Sequence, residues 1–361
     1  MRRKPTGAKP VKALAQRSTR LIEPAPALTS EQDDSVRTLP GRTEEEEVQP
    51  LLNGPALKLG KILVPTDFSN ASVATLKCAI ALANYFTAEV SLLHVAEFNA
   101  IARGLDSTAV LPSHEESVEH AARRLERLSR QFVPTPHRGE TLVRSGEPVR
   151  QVIETARWLG INVIVLSTHG HTSIQQMLKP SIAERVVRGA PCSVLTVRQE
   201  LLLNGNPSLA SAPASWRNIL VPVDFTQSSR NALRYAVTLA VPARSKLTLF
   251  HLAAIHVVCV TPEMIELSPD HDTLRGEAEA QLASWAEEDI PKSLAVDTVV
   301  RVGAPAGPFV ATAAERFAAD LIVQGTHHHT WWERLASDRT AERIVRTAPC
   351  PVFSIPEELL P

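Results

Sequence analysis

The sequence predicts an α/β protein built from two copies of one unit, each a parallel sheet with helices on both faces. Three observations support this fold class. A long block of sequence recurs once, short apolar runs alternate with amphipathic stretches, and polar residues end the strands where such sheets bind ligands. The chain has 361 residues, a length that suggests two to three domains of roughly 150 residues.

The recurrence is strongest at the start and the end of each unit. Residues 62–83 and 219–240 agree at 11 of 22 positions, at an offset of 157. Residues 183–194 and 341–352 agree at 9 of 12 positions, at an offset of 158. The chain therefore divides into a segment before the repeat (1–60), a first unit (61–198), a linker (199–215) and a second unit (216–356).

Strands and helices alternate along the first unit. Near-continuous apolar strands between amphipathic helices are typical of a parallel sheet that is covered on both faces. Ligands of such sheets bind at the carboxyl ends of the strands, which places residues 65–67 and 167–170 at the expected site. The predicted strands cover residues 61–64, 90–95, 141–144, 163–166 and 193–197, and the predicted helices cover 71–86, 117–132, 149–159 and 182–188.

The first 60 residues differ from the rest in composition. Residues 1–20 contain seven Lys or Arg and no acid, and residues 31–47 contain seven acids. Such a segment has little apolar surface to offset the entropy of ordering, so we expect a solvated, disordered tail. A basic arm that binds nucleic acid or an anionic membrane, and an Arg-rich transit peptide, are the alternatives.

Composition and motifs exclude several function classes. The formal net charge is −1, so we expect no nucleic acid partner. No apolar run approaches the roughly 18 residues of a membrane span. The four cysteines form no CxxC pair, and we expect reduced thiols in a cytoplasmic protein. The sequence contains no nucleophile elbow, HExxH or complete Walker loop, so we assign no catalytic residues and expect no enzyme.

The repeated motifs resemble those of the universal stress protein family, in a tandem arrangement. They are V-P-x-D-F at 64–68 and 221–225, LLHV at 92–95, THGH at 168–171 and AERVVRGAPCSVLTV at 183–197. The resemblance implies two Rossmann-like domains of the adenine nucleotide alpha hydrolase-like type, each with five parallel strands. It also implies a pseudo-dimer in which the last strands, 193–197 and 352–355, pair with each other.

Some members of this family bind ATP through a loop of the form G-x2-G-x9-G-[S/T]. In the first unit these places hold Ser167, Gly170, Pro180 and Ser181, and in the second unit they hold Gly325, His328, Asp338 and Arg339. Two of the three glycine places are therefore lost in each unit, and ATP in the first unit is the one cofactor left open. By resemblance, the candidate binding residues are Pro65, Thr66, Asp67, Val95, His169, Gly170, Ser181 and Ile182.

Several of these residues also have structural interpretations. Asp67 and Asp224 either contact a ribose or close the turn into the first helix. We interpret His94 and His251 as core histidines with satisfied hydrogen bonds. We assign no metal site to residues 327–329 with His169 and His171, because consecutive side chains point in different directions. Trp331 and Trp332 either contact a partner or pack over the second unit's site.

These observations favour a non-catalytic interaction or regulatory module of the stress response, with at most weak nucleotide binding in the first unit. The alternative is an ATP-binding switch that hydrolyses slowly. We expect a protein partner of unknown identity and no membrane, and a homodimer is left open.

Overall fold

The structure is a computed structural model that describes residues 35–39, 59–96, 114–168, 181–203, 214, 216–254, 271–303, 306–326 and 340–357. The strands are β1 (Ser35–Leu39), β2 (Lys61–Pro65), β3 (Glu89–Ala96), β4 (Arg138–Ser145), β5 (Val163–Thr168), β6 (Ser193–Arg198), β7 (Asn218–Val223), β8 (Lys246–Ala254), β9 (Val296–Gly303), β10 (Leu321–Thr326) and β11 (Val352–Pro356). The helices are α1 (Asn70–Phe86), α2 (His114–Phe132), α3 (Pro148–Leu159), α4 (Ile182–Gly189), α5 (Gln199–Leu203), α6 (Gln227–Ala243), α7 (His271–Asp289), α8 (Ala306–Arg316) and α9 (Thr340–Thr347). A 3-10 turn covers Thr135–His137.

One sheet of eleven strands runs through both units. Its order is β1-β9-β8-β7-β10-β11-β6-β5-β2-β3-β4. Within each unit all neighbouring strands of the repeat are parallel. The predicted fold class, two α/β units with five parallel strands each, is confirmed.

The two units join at the centre of the sheet through their last strands. β6 and β11 are antiparallel, with Leu195 opposite Phe353, Thr196 opposite Val352 and Val194 opposite Ser354. Leu195 and Phe353 are equivalent positions of the repeat, so a local two-fold axis passes between them. The strand pairing that the resemblance implies is present in the structure.

Helices cover both faces of the sheet because successive strand residues point to opposite faces and are apolar on each of them. Ile62 and Val64 lie in one core with Leu76 of α1 and Leu125 of α2. Leu63 lies in the core on the opposite face, which also receives residues from α3, α4, α8 and α9. None of the helices in the described part of the chain is long and apolar enough to cross a bilayer.

The N-terminal segment departs from the prediction. Ser35–Leu39 forms a strand that pairs antiparallel with β9 at the edge of the second unit's sheet. The prediction of a disordered tail over residues 1–60 is therefore wrong for these five residues. It counted only apolar side-chain burial, whereas an edge strand offers unpaired backbone groups to which an extended segment can bond with little burial.

Candidate functional site

The candidate site lies at the carboxyl ends of β2, β3 and β5 in the first unit. The direction of chain progression through the sheet reverses between β2 and β5, and such a switch point is the usual ligand site of an open parallel sheet. Pro65 ends β2, the Thr66 N–H donates to Leu93 O at 2.8 Å, and Val95 lies near the end of β3. The structure therefore brings Pro65, Thr66, Asp67 and Val95 to one edge of the sheet.

Asp67 closes the turn between β2 and α1. Its Oδ1 accepts the Ser69 N–H at 2.9 Å, and Ser69 in turn caps α1 by accepting the Ser72 N–H at 3.2 Å. Desolvation opposes ionisation of Asp67, but hydrogen bonds from Ser69 and Ser72 outweigh it and hold the pKa below its usual range. Asp67 is therefore an exposed, ionised acceptor at the mouth of the site.

The second unit repeats this turn. Asp224 Oδ1 accepts the Thr226 N–H at 3.1 Å and the Thr226 hydroxyl at 2.5 Å. Thr226 caps α6 by accepting the Ser229 N–H. The turn-closing interpretation of both aspartates is confirmed, and a ribose contact for Asp67 stays a prediction.

An aromatic pair holds each turn in an unusual conformation. Phe68 and Phe225 have φ of 63° and 62°, the left-handed region that bulky side chains rarely adopt. The His94 ring lies 4.5 Å from the Phe68 ring, and its Nδ1 is 2.8 Å from Thr66 O. A carbonyl can only accept, so Nδ1 carries the proton. His251 has the same two contacts, with Phe225 at 4.4 Å and Val223 O at 2.7 Å.

These bonds confirm that both histidines have satisfied hydrogen bonds, but both residues are half-buried and lie at the edge of the core. Each histidine ties its second strand to the turn after the first strand, and this bracing keeps the strained phenylalanine in place. The sequence analysis did not single out Phe68 and Phe225. The signal was available, because V-P-x-D-F is repeated with the phenylalanine in both units.

In the first unit a cation lies over the turn, and among the described residues no cation lies over the Phe225 ring of the second unit. The Arg124 guanidinium carbon is 4.4 Å from the centre of the Phe68 ring, and Nη2 donates to Phe68 O at 3.5 Å. In the part of the chain that the structure describes, Arg124 has no carboxylate partner. Its counterpart in the second unit, at an offset of 157, is the neutral Gln281.

The second unit places a different arginine near its turn and neutralises it. Arg230 lies over the Trp285 ring, which meets Phe225 edge to face at 5.5 Å. Arg230 Nε donates to Asp289 at 2.6 Å and Nη2 donates to Glu288 at 2.5 Å. Of the two arginines that the structure describes beside these turns, Arg230 is paired with two carboxylates and Arg124 is not.

Ser181, the predicted hydroxyl of the nucleotide loop, is already engaged. It caps α4 by accepting the Glu184 N–H at 3.2 Å, and it donates to Glu184 Oε1 at 3.1 Å. The Glu184 carboxylate therefore lies in the first turn of α4, where a helix N-terminus attracts anions. Ile182 follows Ser181 and is 50% exposed.

Glu184 also links the two units. Arg346 of α9 donates to it through Nη2 at 2.7 Å and Nε at 3.3 Å. The reciprocal pair joins Arg188 Nε and Glu342 Oε1 at 2.6 Å. Glu184 therefore joins Ser181, the N-cap of α4, to the contact between the units.

Gly325, which occupies the first glycine place of the nucleotide loop in the second unit, has a packing role. A Cβ at this position would lie 2.4 Å from Ser228 Oγ and 2.6 Å from the Ser228 carbonyl carbon. His169, Gly170, Pro180, His328, Asp338 and Arg339 lie outside the described residues, as do His171, residues 327–329, Trp331 and Trp332.

No cluster of three or more metal-ligating side chains occurs among the residues that were placed. Cys78, Cys192 and Cys350 are buried free thiols. Burial raises the pKa of each of these thiols to about 12, so none of the three is a thiolate at neutral pH.

Comparison with known proteins identifies related sequences and folds. The model of the Universal stress protein family matches residues 58–198 and 215–356. Universal stress protein MJ0531 of Methanocaldococcus jannaschii is 29% identical over 143 residues, which are 38% of this chain and 82% of the relative. Universal stress protein A homolog 1 of Coxiella burnetii is 33% identical over 138 residues, covering 38% of this chain and 94% of the relative. The crystal structure of a universal stress protein from Archaeoglobus fulgidus has a TM-score of 0.60 at 16% identity and covers 83% of this chain and 97% of that one.

Proposed function

The chain belongs to the universal stress protein family, as two family domains in tandem, and we propose from this that it is a cytoplasmic, non-catalytic regulatory module of the stress response. In this proposal the two domains act as one pseudo-dimeric body that binds a protein partner. Nucleotide binding is weak and is confined to the first domain.

Charge supports the choice of the first domain for nucleotide binding. Asp67 offers an ionised acceptor suited to ribose hydroxyls, and Arg124 offers a cation near the same turn. In the second domain the neighbouring Arg230 is held by Glu288 and Asp289. An anionic ligand there would have to displace two carboxylates, which makes binding unfavourable.

The observation that carries the weak-binding proposal is the double hydrogen bond between Ser181 and Glu184. A phosphate at the start of α4 would compete with the Glu184 carboxylate for the Ser181 hydroxyl and for the positive end of the helix. Glu184 is held in place by Arg346, so it does not move aside without loss of that ion pair. We therefore expect a dissociation constant of roughly 10 μM to 1 mM for Mg-ATP, in the range of weak binding.

The test is calorimetric titration of the full chain with Mg-ATP, together with a turnover assay. Wild type should bind one equivalent. Arg124→Gln, which installs the residue of the second domain, should weaken binding about tenfold, as expected for the loss of one charge-assisted contact. Asp67→Asn should weaken it similarly, and the matched variant Asp224→Asn should leave it unchanged.

Three results would contradict parts of the proposal. Sub-micromolar affinity would refute weak binding, and loss of binding in Asp224→Asn would refute the choice of the first domain. Steady release of phosphate that Asp67→Asn abolishes would establish the alternative, a slowly hydrolysing ATP switch.

A further inference from the structure

The two ends of the sheet are equivalent in the repeat but are covered differently. β4 ends the sheet on the side of the first domain, and its counterpart β9 is covered by β1. Among the placed strands none pairs with the outer edge of β4. A strand edge presents unpaired N–H and C=O groups that favour pairing with another chain.

The hydrogen bonds of the inner ladder show which backbone groups of β4 face outward. The Gly146 N–H donates to Ala96 O, and the Glu140 N–H donates to Ser91 Oγ. The ladder has a bulge between Val90 and Leu92, and beyond it the even-numbered residues from Glu140 to Gly146 direct their backbone toward β3. Thr141 and Val143 therefore direct their N–H and C=O groups outward. Their counterparts Thr298 and Val300 stand opposite β1 in the second domain.

Side chains along β4 are complementary to a second copy of the same strand. We propose that two copies of the chain pair through their β4 edges, antiparallel and in register about Leu142. In this register the outward groups of Thr141 meet those of Val143 on the other copy, so four backbone hydrogen bonds form around the axis. Glu140 of each copy stands opposite Arg144 of the other, which is a favourable cross-strand pair.

The neighbourhood of Arg144 supports this occupant. Arg144 lies over the Trp158 ring at 5.2 Å on the α3 face of the strand. Trp158 is 64% exposed, an unusual exposure for so large an apolar surface. Its counterpart at an offset of 158 is Arg316, on the domain whose edge β1 already covers. The exposed tryptophan thus accompanies the uncovered edge.

A charge-reversal experiment on the full chain tests the pairing. Sedimentation of wild type should show a monomer–dimer equilibrium that weakens with salt. Glu140→Arg alone and Arg144→Glu alone each place like charges opposite one another twice, and each should raise the dimer dissociation constant about tenfold or more. The double variant restores both pairs and should return the constant to within about threefold of wild type.

The matched control is Arg301→Glu, which changes the counterpart of Arg144 on the covered edge and should leave dimerisation unchanged. Circular dichroism checks that each variant is folded, and recovery in the double variant shows that the single reversals act on the interface. A chain that sediments as a monomer at about 100 μM and low salt would overturn the proposal, as would a dimer that neither single reversal weakens.

Cross-linking tests the register. Leu142→Cys lies on the axis and should form a disulfide-linked dimer under mild oxidation, whereas Thr141→Cys stands opposite Val143 and should form much less. The competing occupant is β1 of a second copy, which by analogy with the second domain would place Val36 opposite Leu142. Efficient linkage between a Val36→Cys chain and a Leu142→Cys chain, without Leu142→Cys homodimers, would overturn pairing between β4 strands.

Discussion

Replacing Glu184 by glutamine should weaken the contact between the two domains more than the equivalent change at Glu342. The pairs Glu184–Arg346 and Glu342–Arg188 are related by the local two-fold axis, so they have the same chemistry in two environments. The Glu184 side chain is 3% exposed and Arg346 33%, whereas Glu342 is 13% exposed and Arg188 38%. The two pairs differ in burial and in the Ser181 hydroxyl bond that Glu184 also accepts.

The size of each effect follows from how deeply the remaining partner is buried. Removing one partner of a fully buried ion pair costs about 3–5 kcal/mol, mostly because the other charge is left desolvated. The Arg346 side chain is 33% exposed, so in the variant it stays partly hydrated. We therefore expect Glu184→Gln to lower the free energy of unfolding by about 2–3 kcal/mol. Arg188 and Glu342 are both more exposed, and we expect about 1 kcal/mol for Glu342→Gln.

Urea unfolding of the full chain measures both values. The cycle of Glu184→Gln, Arg346→Gln and the double variant should give a coupling energy of about 1–3 kcal/mol. Glu184→Ala and Glu342→Ala serve as a second pair in which no amide replaces the carboxylate. Equal losses for Glu184→Gln and Glu342→Gln, or a coupling energy near zero, would refute the assignment of this contact to a buried charge pair.

Two further predictions concern the edge strand and the half-buried His251. Deleting residues 1–39 should make the Thr298 and Val300 amides exchange faster with deuterium and leave the exchange of Thr141 and Val143 unchanged. The melting temperature should fall by only a few degrees, because the entropy of ordering five residues offsets most of the free energy of the hydrogen bonds. Equal exchange at Thr298 with and without the segment would contradict the pairing. Burial holds the pKa of His251 below its ordinary value despite the bond to Val223 O, so its contribution to stability is complete above about pH 6.5 and is lost as the pH falls. Thermal unfolding at about pH 7 and about pH 5.5 should therefore show a smaller decrease for His251→Gln than for wild type, and an equal decrease in both would argue against this origin.

Most of the fold follows from local patterns in the sequence. The strands and helices of the first domain begin and end within three residues of the predicted bounds, because apolar periodicity and N-caps such as Ser69 and Ser181 act locally. Ser35–Leu39 was missed because its stabilisation comes from the backbone of β9, more than 250 residues away along the chain. Val36, Arg37 and Thr38 are exposed, so this short strand leaves little trace in the hydrophobic pattern of the sequence.

The ion pairs between the two domains could have been predicted from the sequence, although the motif analysis did not predict them. Residues 183–188 and 341–346 are copies of one sequence, with a glutamate at the second place and an arginine at the sixth. Antiparallel pairing of the last strands brings the two copies together in opposite directions, so each glutamate meets the other copy's arginine. Once the strand pairing was predicted, this self-complementarity could have been predicted from it.

The glycine places of the nucleotide loop show why a motif alone does not determine the site. Gly325 leaves room for Ser228 at the start of α6, whose hydroxyl donates to Thr326 O at 3.2 Å. In the first domain the same two positions hold Ser167 and Ala71, so the larger side chain lies on the strand and the smaller one on the helix. In both domains one small residue lets the first helix pack against the strand: Gly325 on the strand in the second domain and Ala71 on the helix in the first. This packing accounts for Gly325 without a role in nucleotide binding. A glycine at that place therefore reflects how closely the first helix approaches the strand, and it is not by itself evidence of a phosphate site.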